Sequence, residues 1–150
     1  MTRRFVFYVL PLLVWMLIIF GWSTDAGSAE HTRSALEKLL AVMPFLRDMS
    51  PAQILSVDYA IRKMAHVTEY AILAVLAHRA IQQDKRFVMD GRLLLPVVIG
   101  AVYAATDEYH QSFVASRWPS FGDVLYDTFG GVLGTVASVW YRVRSSRRLL

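Results

Sequence analysis

The stretch FVFYVLPLLVWMLIIFGW, residues 5–22, decides the class of fold. It runs 18 residues without a charge, and a bilayer core is crossed by about 20 mostly apolar residues, with a range of about 17–25. Three further stretches of suitable length follow, at 62–81, 92–110 and 123–141, each apolar over much of its length and polar at one end. The rest of the composition agrees. Of 150 residues, 55% are apolar and 19% charged, below the roughly 25% charged of a soluble domain, and the mean hydropathy is +0.38. Disorder is excluded, because it needs low hydrophobicity and high charge. The chain has no cysteine, which excludes a disulfide scaffold, a thiolate metal site and a thiol nucleophile. These features predict an all-α fold. It is a single integral membrane domain over 1–150, a four-helix bundle.

Charge distribution tests the four spans independently, since basic residues concentrate on the cytoplasmic side near span ends. With the N-terminus inside, ten basic residues (Arg3, Arg4, Arg79, Lys85, Arg86, Arg92, Arg142, Arg144, Arg147 and Arg148) and two acids (Asp84 and Asp90) lie inside. Six basic and ten acidic residues remain outside, a split of +8 against −4 that recovers the net +4. Both termini are therefore expected in the cytoplasm of a bacterial cell, with the domain in its inner membrane. Topology accounts for the basic pI of about 9.6, so no nucleic-acid partner is expected. The oligomeric state is left open. A cleaved signal peptide is disfavoured, because signal h-regions run about 7–15 residues and this one is 18 with bulky Trp15 and Trp22.

Between the first two spans, Ala35, Leu36, Leu39, Leu40 and Met43 recur at helical spacing with Glu30, Arg33, Glu37 and Lys38 around them. That pattern predicts an outer amphipathic helix on the membrane surface or on the bundle. Ser50-Pro51-Ala52-Gln53 then reads as a helix start, with Ser50 as cap, Pro51 in the first turn and Gln53 reaching back. That helix is expected to feed the second span.

On a helical wheel, Asp58, Arg62, His66, Glu69 and Leu73 of the second span share a face. Tyr103, Asp107, His110 and Gln111 share one in the third, with Glu108 about 100° from Asp107. In the fourth, Asp123, Asp127, Gly130, Gly134 and Ser138 form a stripe of small or acidic residues. Small residues at such spacing let membrane helices approach closely. The stripe should therefore be the packed face, aiming both aspartates inward. The ionisable residues all fall within roughly 10 Å of the outer surface at the helical rise per residue. Such residues in a span usually face an interior or a wet cavity, which predicts one polar pocket opening outward. His78 and Arg79, at the inner end, are expected to be interfacial anchors.

The same residues carry a resemblance. Arg62-Lys63-x-x-His66-x-x-Glu69-Tyr70-x-x-Leu73 resembles the second-helix signature of the VanZ-like family. Asp107-Glu108-Tyr109-His110-Gln111-x-Phe113-Val114-x-x-Arg117, then Asp123-Val124-Leu125 and glycines 130, 131 and 134, is similar to its second half. Trp15, Ile19, Phe20 and Ser23 follow its first-helix pattern. The resemblance implies a small bacterial multi-spanning membrane protein and a link to glycopeptide resistance, with no particular reaction. Two positions depart from the pattern: Ser116 stands where Gly is common before the loop arginine, and Asp127 where Asn is common.

Two classes of function follow. In the first, an enzyme acts on a lipid-linked envelope substrate. His66 or His110 would take a proton, Glu69 or Asp107 would orient it, and Glu108 belongs to the same acid/base set. Arg62, Lys63 and Arg117 would hold a phosphate of a lipid head group, with Gln111, Asp123 and Asp127 lining the binding site. A metal-assisted variant stays open, since His and carboxylates can bind zinc or a harder cation, but their spacing matches no known metal motif, so the metal and any cofactor are left unassigned. In the second class, the pocket binds a head group or simply holds the bundle by interhelical hydrogen bonds. A transport path is disfavoured, since the inner halves of the spans are apolar.

Overall fold

The computed structural model describes residues 2–24, 34, 49–82, 91–115 and 119–147. Among them it is all-helical, with four principal helices and no strand. The expected outer amphipathic helix over residues 35–43 lies outside the described residues. The first helical run begins at Thr2–Arg4, passes through a π-helical turn at Phe5–Val9 and continues as α1, Leu10–Ser23. Pro11 explains the turn. Proline lacks an N–H and its ring crowds the preceding carbonyl turn. The chain widens before it, and Leu10 N–H bonds back to Phe5 C=O.

Helix α2, Pro51–Ile81, is one unbroken rod of 31 residues, about 46 Å long at the standard rise. Its start is the capping box expected from the sequence. Gln53 N–H donates to Ser50 Oγ at 3.4 Å, and Ser50 N–H donates to Gln53 Oε1 at 2.7 Å. A 3₁₀ turn at Gly91–Leu94 leads into α3, Leu95–Gln111, with Pro96 in its first turn. Helix α4 spans Phe121–Arg147, so it runs past the apolar stretch and carries Arg142, Arg144 and Arg147 on its last turns.

Partners rise together in number along two helix pairs. On α2 and α4, Lys63 meets Asp123, His66 meets Asp127 and Gln82 meets Arg142. Those helices are therefore parallel and in register. On α1 and α3, Met16 meets Tyr103 and Phe20 meets His110, so that pair is parallel too. Trp15 Nε1 donates to Glu69 C=O of α2 at 2.9 Å, and Tyr103 Oη donates to Met16 C=O at 2.6 Å.

The α2–α4 contact is the closest in the fold, and glycine makes it possible. A Cβ placed on Gly130 would strike the Val67 carbonyl oxygen and lie 3.0 Å from its carbon. One placed on Gly134 would strike the Ala71 carbonyl oxygen, 2.8 Å from its carbon. The stripe of small residues is thus the packed face, as the spacing implied. Ile19, Tyr70, Leu73 and Ala104 form the central apolar cluster, with Leu12, Trp15, Met16, Tyr103 and Val124 packed around it.

Side-chain placement runs against that of a water-soluble bundle. Asp58, His78, Asp107, Glu108, Gln111, Asp127 and Thr135 are buried, while Leu17, Val102, Phe129, Val136 and Trp140 are exposed. Buried polar groups and large exposed apolar surfaces are the informative exceptions to ordinary burial. By length and composition, one helix among the described residues, Phe5–Ser23, is apolar enough to cross a membrane. The other three expected spans do not meet that measure, and α3 has 17 residues. His78 departs from the anchor role expected of it. It is 1% exposed, buried in the last turn of α2.

Candidate functional site

At one end of the bundle, α2, α3 and α4 bring their ionisable residues together. On α2, Asp58, Arg62, His66 and Tyr70 recur every fourth residue and face inward. Asp58 and Tyr70 are buried, and the two between them are half-buried. The His66 ring reaches across to α4, where its Nδ1 lies 3.1 Å from Asp127 Oδ1. Asp127 is fully buried. It lies within electrostatic range of Asp107 and Asp123 as well as His66. The sequence reading gave the orienting role to Glu69 or Asp107. Glu69, one turn along the same helix, acts on His66 through its charge, whereas the carboxylate in hydrogen-bonding position belongs to a different helix.

The other expected residues sort by their contacts. Lys63 forms an ion pair with Asp123, and its ammonium also sits 5.0 Å from the Tyr59 ring centre and 5.4 Å from that of Tyr126. Arg62 Nε lies 3.4 Å from Asp58 Oδ2, one turn back. Two of the three cations read as phosphate holders, Arg62 and Lys63, are thus already paired with acids of this chain. Gln111 does not line open space. It is 4% exposed, and its amide donates to Asp107 Oδ2 at 3.0 Å, so it positions Asp107. Glu108 accepts the Ser120 N–H at 2.7 Å, tying the start of α4 to α3. His110 packs on Phe20 of α1, ring centres 4.5 Å apart. Arg117 and Ser116 lie outside the described residues.

Several polar atoms here are buried without a hydrogen-bond partner: Asp107 Oδ1, Glu108 Oε1, Asp127 Oδ2, His110 Nδ1 and the Tyr70 hydroxyl. Tyr70, which the sequence offers no titratable reason to single out, is wholly buried and within electrostatic range of Asp107, Asp127 and Glu69. The signal that could have found it is its spacing, one turn after His66 on the same stripe. No three His, Asp or Glu residues among those described are grouped so as to hold a metal ion.

A carboxylate against one imidazole nitrogen fixes the tautomer and leaves the other nitrogen to exchange a proton. His66 and Asp127 form an imidazole–carboxylate pair 3.1 Å apart, held between two helices that approach closely at Gly130 and Gly134. A family model described as VanZ/LLP1 matches residues 5–142. The chain belongs to that family. No curated protein and no solved structure matches it.

Proposed function

We propose that this is a multi-pass protein of a bacterial inner membrane, both termini cytoplasmic, whose polar pocket opens toward the outer surface and acts on, or binds, a lipid-linked envelope component. The observation that carries the reading is the His66–Asp127 contact at 3.1 Å, part-buried in a bundle with an apolar exterior. Such an exterior suits lipid rather than water. An ion-paired polar cluster at one depth suits a ligand whose reactive part lies at the head-group level.

His66 serves as the proton-transferring group in this reading, Asp127 fixes its ring, and Gln111 holds Asp107 in place. Arg117, on the segment that α3 and α4 flank, remains the candidate cation for a phosphate. The family's link to glycopeptide resistance fits a pocket working on the envelope precursors such antibiotics sequester. The test is a deletion strain complemented with wild-type protein, His66→Gln or Asp127→Asn, with envelope lipids read by mass spectrometry and glycopeptide sensitivity measured in parallel. Wild-type rescue of both readouts and failure by folded variants supports the proposal. Full rescue by both variants overturns it.

A further inference from the structure

The groove between α2 and α4 continues past the polar pocket to the other end of the bundle, where Arg142 meets Gln82. Gly134 faces Ala71, and the two helices run parallel, so turns measured from that pair sort residues onto one flank or the other. Ala74 and Ala77 of α2 turn one way and are buried. Gly131 of α4 turns the same way, and a Cβ added there would lie 3.9 Å from Val97 Cα of α3. That flank is the bundle interior. On the opposite flank, Ile72 and Arg79 of α2 lie about 100° and 80° round from Ala71, and Leu133 and Arg144 of α4 lie at the same angles from Gly134. All four are exposed, Ile72 at 37% and Leu133 at 44%.

The two arginines stand close in height. Measured from His66 and Asp127, Arg144 is four residues further along its helix than Arg79, about 6 Å at the helical rise. Neither pairs with an acid among the described residues. The Arg144 guanidinium lies 5.1 Å from the exposed Trp140 ring. Arg142, between them in height, is already engaged, donating to the Gln82 C=O at 2.8 Å. From Thr128 to Leu150 the chain holds four arginines and no acid. The positive-inside rule accounts for the sign of this end, but not for two unpaired guanidinium groups beside one exposed apolar groove. Basic pockets between membrane helices on the cytoplasmic side bind anionic head groups, and the guanidinium fork matches a phosphate.

We propose that this groove binds an anionic phospholipid, its phosphate between Arg79 and Arg144 and an acyl chain along Ile72 and Leu133. The inference rests on the membrane placement proposed above and is independent of what the polar pocket does. Net charge selects the ligand. A zwitterionic head group brings its own ammonium toward two cations, whereas an anionic one brings none. A lipid seated there touches both helices and reinforces the α2–α4 pair.

The experiment reconstitutes full-length protein in nanodiscs of equal parts phosphatidylethanolamine and phosphatidylglycerol with identical acyl chains. Lipid retained on the released protein is read by native mass spectrometry, beside thermal shift in detergent containing each lipid alone. Phosphatidylglycerol should be retained about tenfold over phosphatidylethanolamine and should raise the unfolding temperature more. The double variant Arg79→Gln/Arg144→Gln should lose most of that preference. Arg3→Gln/Arg4→Gln, the same change in charge on exposed residues of another helix, should keep it. Glycerol phosphate, which lacks acyl chains, should not displace the lipid.

Equal retention of the two lipids by inserted wild-type protein overturns the site and leaves the membrane placement standing. Protein that does not enter the nanodisc bilayer removes both. A preference that survives in the folded double variant, or that is lost equally in Arg3→Gln/Arg4→Gln, overturns the assignment to this groove. Displacement by glycerol phosphate overturns the lipid as occupant. If the double variant fails to fold, Arg79→Gln and Arg144→Gln singly carry the same comparison.

Discussion

His66 on α2 and Asp127 on α4 stand 3.1 Å apart, joined across two parallel helices, although 61 residues separate them in the chain. The contact is two-sided, so each residue's effect depends on the other. His66→Gln and Asp127→Asn should each remove function while leaving the protein folded and inserted, because shape and some hydrogen bonding survive. The double variant should be no worse than the more damaging single one, since groups acting as a unit are non-additive. Complementation beside thermal unfolding checks this. Activity losses that simply multiply would separate the two residues.

Topology is tested on the natural cysteine-free background. Single cysteines at Ser28 and Ser116 should react with a membrane-impermeant maleimide in intact cells, while one at Ser146 should react only after permeabilisation. Labelling of Ser146 from outside would reverse the orientation read from the charges.

Gly130 and Gly134 should tolerate no Cβ, whereas Gly100 should welcome one. Alanine at 130 or 134 meets the backbone of Val67 or Ala71 and should cost about 1–3 kcal/mol through overpacking. Nothing lies within 4 Å of a Cβ added at Gly100, so Gly100→Ala should be neutral or stabilise by up to about 1 kcal/mol. Melting temperatures of the three variants in one detergent give the comparison.

Glu108 separates into two roles that substitution can distinguish. Gln keeps an acceptor for the Ser120 N–H, so Glu108→Gln should preserve thermal stability. Glu108→Leu removes the acceptor of that N–H and should lose about 0.5–1.5 kcal/mol. A loss of activity in Glu108→Gln without a loss of stability would trace to its second, unpartnered oxygen.

Tyr103→Phe removes the bond from the phenol to Met16 C=O, and Trp15→Phe removes the one to Glu69 C=O. Each should destabilise by about 0.5–1.5 kcal/mol. Both tie α1 to its neighbours, so protease sensitivity near residue 24 should rise in step with the stability loss.

The helices were legible in the sequence because their signals are local. The Ser50–Gln53 box, the prolines in the first turns of α1, α2 and α3 and the uncharged run at 5–22 fix element starts within a few residues. The α4 glycine stripe was equally legible, since close approach leaves only small residues on one face. Partners between helices were not. Wheel geometry put Glu69 beside His66, but which carboxylate meets the ring depends on how far α4 slides along α2, and that is set by Gly130 and Gly134 against backbone. Gln111 read as a ligand contact and proves to hold Asp107, because a wheel shows the face of a residue and not what lies in front of it. His78 read as an anchor from its nearness to Arg79, yet the inward stripe of α2 carries it under cover.

The parallel register of α2 and α4 has a consequence for biogenesis. Lys63, His66 and the exposed backbone at Val67 and Ala71 leave the ribosome some sixty residues before Asp123, Asp127, Gly130 and Gly134. On the proposed topology, the second helix waits in the translocon or the bilayer during synthesis with its half of the site unmatched. Neither half can work or be inhibited until the last helix slots in. The site is a late-assembly product, and a nascent chain stalled before α4 would be the species an insertion chaperone has to shelter.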